Sequence, residues 1–328
     1  MSRTSTTRAR AACITVSAAA LVLGLAACGG SSTAESSAAA PAESAAASAP
    51  AASAPAASAP AASAAAGVDA AAVALLPAGI ADDGALTVGM EVAYPPFGYM
   101  DTDNVTPIGF DVDLATEMAN RLGLELVIVD AGFDSIIPSL ASSRYEAGVS
   151  AFTITSERQK EVDFVTYFES GDSALVLAGN PKGLSLDTRL CGVKTAVLKG
   201  STMEIVTIPA IDADCKAAGL APIEVLSLGG SEELPLALQS GRADVALADS
   251  GNAAYIAQNS AGAFEIAVGP LVNAGPGGMV FKKGGGMAEA ASAALQGLMD
   301  DGTYGAIADK WGLSSGKVTT ATINAAKG

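Results

Sequence analysis

Apolar and polar positions change their spacing repeatedly along this chain. In "ALTVGMEVAY", residues 85–94, they alternate, which predicts a half-buried strand. Over 111–122 the apolar residues Val112, Leu114, Ala115, Met118 and Leu122 recur at helical spacing, and Gly123 supplies a stop, so a helix is predicted there. "LELVIVDA", 124–131, reads as a second strand. The alternation of strand and helix continues to the end, which predicts an α/β fold with mainly parallel strands.

Two internal echoes refine this. "SLASSRYEAGVSA" (139–151) aligns without gaps to "ALQSGRADVALAD" (237–249), and "LTVGMEVAYPP" (86–96) pairs with "VKTAVLKGSTM" (193–203). Each reads as a strand delivering polar or small residues just past its carboxyl end, the edge where open α/β sheets bind ligands. The same unit built twice predicts two lobes facing a cleft.

The pattern fails at the N-terminus. Residues 29–66 are almost entirely Ala, Ser and Pro, and "SAPAA" recurs with period five between 48 and 62. No large apolar side chain in 29–66 is available to offset the entropy of ordering, so a flexible tether is expected, with its bounds set at 28–82. Globular sequence is expected from about Asp83. Before the tether, Arg3, Arg8 and Arg10 precede a small apolar run over 11–27 and then Cys28. This reads as an export signal. "LAAC" resembles a lipoprotein lipobox, which implies cleavage before Cys28 and lipidation of its thiol.

Composition narrows the chemistry. The 18 basic against 34 acidic side chains argue against nucleic acid or anionic membrane surfaces as partners. Removing 1–27 takes three arginines and no acid, so the mature chain carries 15 − 34 = −19. The absence of histidine removes histidine triads and most zinc sites. Export leaves Cys191 and Cys215 as an even pair, either a disulfide or two buried thiols; the oxidising compartment favours the disulfide. "DTDN" (101–104) has too few ligands for calcium and reads as a hairpin turn, and "KKGGGM" (282–287) lacks phosphate-loop spacing. No cofactor or metal is expected.

The segment 150–164, "SAFTITSERQKEVDF", places Thr153, Thr155, Ser156 and Arg158 after an apolar strand. They read either as a helix cap with a solvated arginine or as a socket for a small anion. Here the residues resemble a known family. "LTVGMEVAYPPFGY", "GFDVDLATEMANRLG", "FDSIIPSLASSRYEAGVSAFTITSERQKEVDF", "YFESG", "LKGSTME", "LQSGRADVALADSGNAAY" and "DGTYGAIADKWG" occur in the order and spacing of the family 3 solute-binding proteins of polar-amino-acid ABC importers. The resemblance covers about 84–313. It implies a type II periplasmic-binding-protein-like fold, with lobe 1 over 84–168 plus 277–328, lobe 2 over 171–273, and hinges near 168–171 and 274–277.

The resemblance also assigns roles. Arg158 would hold a ligand α-carboxylate by its planar fork of donors, assisted by Thr153 and by Ser201 and Thr202 from lobe 2. Asp249 would receive the ammonium, although a helix N-cap is the alternative. Tyr94 and Phe133 would lie against the ligand side chain. Glu91 stands where binders of cationic amino acids carry an acid; otherwise it is a surface acid at a strand end. Ala151 replaces the usual glycine or serine, so a hydroxyl contact is missing while a backbone contact is retained. Gly277 replaces a tyrosine. The implied function is capture of a free polar or cationic L-amino acid by a monomeric, lipid-anchored, extracytoplasmic protein that delivers it to ABC permease subunits. The alternatives are a cyclohexadienyl-dehydratase-like enzyme using Glu91, Glu169 or Asp249, and a ligand-presenting sensor subunit.

Overall fold

The computed structural model describes residues 67–326 apart from Ala81 and Pro270. The signal, Cys28 and most of the tether lie outside the described residues. The tether boundary needs correction. Residues 69–80, assigned above to it, are part of the fold. Asp69 caps α1 (Ala70–Val73), its Oδ1 accepting the N–H groups of Ala71 at 2.9 Å and Ala72 at 3.2 Å. Its own N–H donates to the carbonyl of Arg121 at 2.8 Å, at the end of α2 (Phe110–Leu122). Ala72 is completely buried there. Alanine-rich composition reads alike in a tether and in a short packed helix, which is why the sequence misplaces this boundary.

The helix predicted over 111–122 is α2. Its buried face is Phe110, Leu114, Met118 and Leu122, and Gly123 ends it in the left-handed region at φ 70°. It packs against β1 (Ala85–Met90), β5 (Glu125–Asp130) and β6 (Ala147–Thr153), and these strands are parallel in the order β5-β1-β6. The helices α8 (Met287–Asp300) and α9 (Thr303–Lys310) complete that layer with α1. The opposite sheet face is covered by α3 (Phe133–Ala141) and α4 (Arg158–Glu161). Side chains of β6 alternate between the two cores: Val149 faces α2, and Phe152 stacks on Phe133 with ring centres 4.6 Å apart. A small antiparallel sheet of β2 (Ala93–Tyr94), β3 (Gly98–Met100) and β4 (Pro107–Ile108) follows β1. "DTDN" forms its tight turn, with Asn104 N–H donating to the Asp101 carbonyl at 2.9 Å.

The second lobe repeats the scheme. β8 (Lys194–Leu198) lies parallel to both β9 (Glu224–Leu228) and β10 (Val245–Asp249). A π-helical turn, Met203–Thr207, runs into α5 (Ile208–Ala217) on one face, and α6 (Glu233–Gln239) and α7 (Ser250–Asn259) cover the other. Cys191 and Cys215 form a disulfide, with Cα atoms 5.6 Å apart. It fastens the turn after Thr188–Leu190 to α5.

Two long strands join the halves. β7 (Val162–Leu177) and β12 (Val272–Lys282) pair antiparallel with each other; β12 also pairs with β6, and β7 with β10 and β11 (Phe264–Ile266). The expected mainly parallel sheet is therefore mixed: parallel within each half and antiparallel where the chain crosses between them. The register of β12 against β7 breaks between Val272 and Gly275 and again between Gly277 and Gly278.

Candidate functional site

The strand ends place the candidates. Thr153 closes β6, Asp249 closes β10, Glu91 follows β1, and Ser201 and Thr202 follow β8. All point to the carboxyl edge of their parallel strands, where the two lobes meet. One cleft is lined by Tyr94, Phe133, Ala151, Thr153, Arg158, Ser201, Thr202 and Asp249. Its apolar walls are Leu198, Met203, Leu234, Leu247 and Ala248. Sequence reading missed these five because an apolar residue near a strand end or in the first turn of a helix looks like any core residue.

Arg158 is 9% exposed and turned inward. Its Nη1 donates to the Thr153 carbonyl and its Nη2 to the Gly200 carbonyl, each at 2.9 Å. The guanidinium lies beside the Phe133 and Phe152 rings, 5.6 and 5.7 Å from their centres, close enough for cation–π attraction. Burial pulls its pKa down to about 10, partly offset by the charge of Asp249, so it remains a cation at neutral pH. Thr155 serves the helix instead: its Oγ1 accepts the Arg158 N–H at 3.1 Å. Segment 150–164 thus contains both a cap and a cleft-facing guanidinium.

The Thr153 and Thr202 hydroxyls are 3.3 Å apart across the cleft. Ser201 Oγ accepts the Glu204 N–H at 3.3 Å, while Glu204 Oε2 accepts the Gly200 N–H at 2.7 Å. That reciprocal pair fixes the turn after β8.

Asp249 occupies the N-cap position of α7, yet its side chain makes no capping bond. Instead it accepts the Tyr94 hydroxyl, and Ser170 Oγ at 3.5 Å. Burial pushes its pKa up to about 7; Asp172 adds to the rise, while Tyr94 and Arg158 oppose it. Asp172 lies directly opposite on β7.

Ala151 has φ 48°, and its N–H is used inside the lobe. It donates to Asp111 Oδ2 at 3.1 Å and to the Tyr167 hydroxyl at 3.0 Å. The retained backbone contact expected of Ala151 is therefore corrected for its amide, which two core residues already hold. Asp111 and Tyr167 support the cleft from behind, and Asp111 is pushed up to about 7 by burial.

Glu91 is buried, which excludes the surface-acid reading, but it is not among the residues lining the main cleft. Its Oε1 accepts the Ser231 N–H at 2.8 Å. Burial pushes its pKa up to about 7, with a smaller rise from Glu232 and Asp130. Glu169 is exposed and lies in a separate groove beside Trp311. Chemically, the cleft presents a fixed cation at one end and a carboxylate with a tyrosine hydroxyl at the other.

The sequence profile of the bacterial extracellular solute-binding proteins, family 3, matches residues 86–314. The arginine-binding protein ArgT of Corynebacterium glutamicum is 33% identical over 251 residues, covering 76% of this chain and 82% of that protein. The crystal structure of the P235GK mutant of ArgBP from T. maritima superposes with a TM-score of 0.63 at 32% identity, covering 73% of this chain and 98% of that one. The ancestral amino acid-binding protein AncCDT-1, described as a precursor of cyclohexadienyl dehydratase, superposes with a TM-score of 0.61 at 30% identity, covering 71% and 96%. The two-lobed architecture is that of the type II periplasmic-binding fold. With most of its length matched by the family profile, the chain belongs to the bacterial extracellular solute-binding proteins of family 3.

Proposed function

We propose that this chain captures a free amino acid, preferably a cationic one, and delivers it to the permease subunits of an ABC importer. We further propose that it does so outside the cytoplasm as a monomer anchored by lipid at Cys28. One observation carries the reading: the cleft holds a buried guanidinium from the start of α4 in one lobe and a buried carboxylate from the end of β10 in the other. A free α-amino acid is a zwitterion, so its carboxylate suits the Arg158 fork and its ammonium suits Asp249. Thr153, Ser201 and Thr202 supply further donors for the carboxylate. Tyr94 and Phe133 flank the side chain, and the buried acid Glu91 favours a cationic one. Two relatives that bind arginine support the same preference.

Closure is favourable only through the additional contacts it makes. Micromolar affinity requires about −8 kcal/mol net. ATP hydrolysis belongs to another chain, and the binding step needs no cofactor. Thermal-shift screening against the standard amino acids plus ornithine and citrulline tests the reading. Arginine, lysine or ornithine should raise the melting temperature most; no rise with any free amino acid refutes it.

The dehydratase precursor among the structural relatives makes a catalytic reading worth one assay. Of the acids available to it, Glu169 lies outside the main cleft. Incubation with prephenate should yield no phenylpyruvate, and steady production would replace binding with catalysis.

A further inference from the structure

We propose that Gly251 is a positioning residue for ligand capture: its lack of a side chain lets the first turn of α7 press against the first lobe, which sets Asp249 in place for the ligand ammonium. This rests on the amino-acid reading above and adds to it the contact that decides how far the lobes close.

Gly251 is the second residue of α7, two places after Asp249. Its φ is not positive, so the backbone does not call for glycine there. Glycine within a helix costs stability relative to alanine. Space is the reason for it. A methyl group at Gly251 would lie 3.0 Å from Leu313 Cδ2, 3.0 Å from Phe97 Cζ and 3.1 Å from Phe97 Cε2. Ordinary contact between carbon atoms is ~3.5–4.0 Å. Both obstacles belong to the first lobe, and both are buried. The Phe97 ring is hemmed in by Phe110 and Phe168, with ring centres 6.3 and 5.5 Å away, so it has little room to withdraw.

Phe97 also stacks on Tyr94, with ring centres 5.4 Å apart, and the Tyr94 hydroxyl donates to Asp249. Gly251 therefore rests on the ring that backs the ammonium end of the cleft. Its neighbours on α7 make the same approach to the first lobe. Asn252 Nδ2 donates to the Pro95 carbonyl at 2.5 Å, and one turn after Gly251 the Tyr255 hydroxyl donates to the Tyr99 hydroxyl at 3.3 Å. Asp249, at the head of α7, moves with this seat. A side chain at 251 would hold the seat open and draw Asp249 away from Tyr94. The strain arises only where the lobes meet, so it acts on closure and is relieved on opening.

Titration calorimetry of the mature, disulfide-intact protein with arginine, lysine and glutamine tests this. Gly251→Ala should weaken each one that the wild-type protein binds by on the order of tenfold, the scale of a tightly overpacked contact. The factor should be alike for all, since the ammonium is common to them. Gly251→Val should weaken them further. The melting temperature of the free Gly251→Ala protein should hold or rise, because alanine favours the helix. Adding Leu313→Ala, which clears one of the two obstacles, should recover part of the loss. Unchanged affinity in Gly251→Ala overturns the proposal. So does a loss matched by a fall in the melting temperature of the free protein, or one that Leu313→Ala leaves untouched. In those cases wild-type binding stands and the amino-acid reading with it; a wild-type protein that binds no amino acid overturns both.

Discussion

The Arg158 guanidinium donates to the carbonyl oxygen of Gly200 at 2.9 Å, tying the cationic end of the cleft in one lobe to the backbone of the other. Its second nitrogen is held by Thr153, and two phenyl rings flank it, so the fork is oriented before any ligand meets it. Arg158→Ala is expected to weaken amino-acid binding by about 2–5 kcal/mol, the cost of leaving an enclosed charge without its partner. Arg158→Lys should also bind weakly, because it keeps the charge and loses the planar fork. Isothermal titration measures both, and unchanged affinity in the alanine variant would remove the guanidinium as the carboxylate anchor.

Acidity should act on the fold in a defined direction. Glu91, Asp111 and Asp249 are each pushed up to about 7 by burial. The native state therefore holds protons that the unfolded chain has released between roughly pH 4 and 7, and stability falls as pH rises through that window. What these groups contribute is fully present below the unfolded carboxylate value and lost above about 7. Asp163, Asp187 and Asp309 shift downward, so their contribution is lost only at more acidic pH. The melting temperature of the free protein should decline from about pH 5 to 8, less steeply in Asp249→Asn. Arginine affinity should run the other way and rise across the same range, because the ligand pairs with the ionised forms.

Lys199 and Asp134 form an ion pair at 2.8 Å, the only one joining the two lobes among the described residues. Both side chains are substantially exposed, so the pair is worth about 0.2–1 kcal/mol. Lys199→Ala should raise the ligand off-rate by no more than about fivefold, and less at high salt. Exchanging the charges, Asp134→Lys with Lys199→Asp, should restore it. Stopped-flow dissociation at two ionic strengths decides the matter; an effect that ignores salt would point to packing instead.

The disulfide closes a loop of 24 residues in sequence separation. Chain entropy puts its contribution at about 3 kcal/mol. Replacing both Cys191 and Cys215 by serine should lower denaturant stability by that order, as read by urea titration of the free protein.

How much of this was written in the sequence depends on the range of each contact. α2 was legible because its apolar spacing and its glycine stop are local. The placement of Asp249 was legible because the echo with 139–151 put an acid at a strand end. Its freedom from capping was not, since that depends on Tyr94, 155 residues away. Burial of Glu91 was invisible for the same reason: Ser231 reaches it only through the fold. Asp111 and Tyr167 were missed behind Ala151 because a helix-start acid and a strand tyrosine carry no signal of a shared partner. The packed segment 69–80 was hidden by its alanine content.

The two breaks in register along β12 carry a consequence for how the molecule changes shape. A rail with missing rungs yields where the rungs are missing, so flexure concentrates at 273–274 and at the 277–278 step. Deuterium should enter the N–H groups of Asn273 and Ala274 well ahead of the regular pairings from Met279 to Lys282. The packed layers on either side are then free to travel as rigid plates, and opening spares their cores.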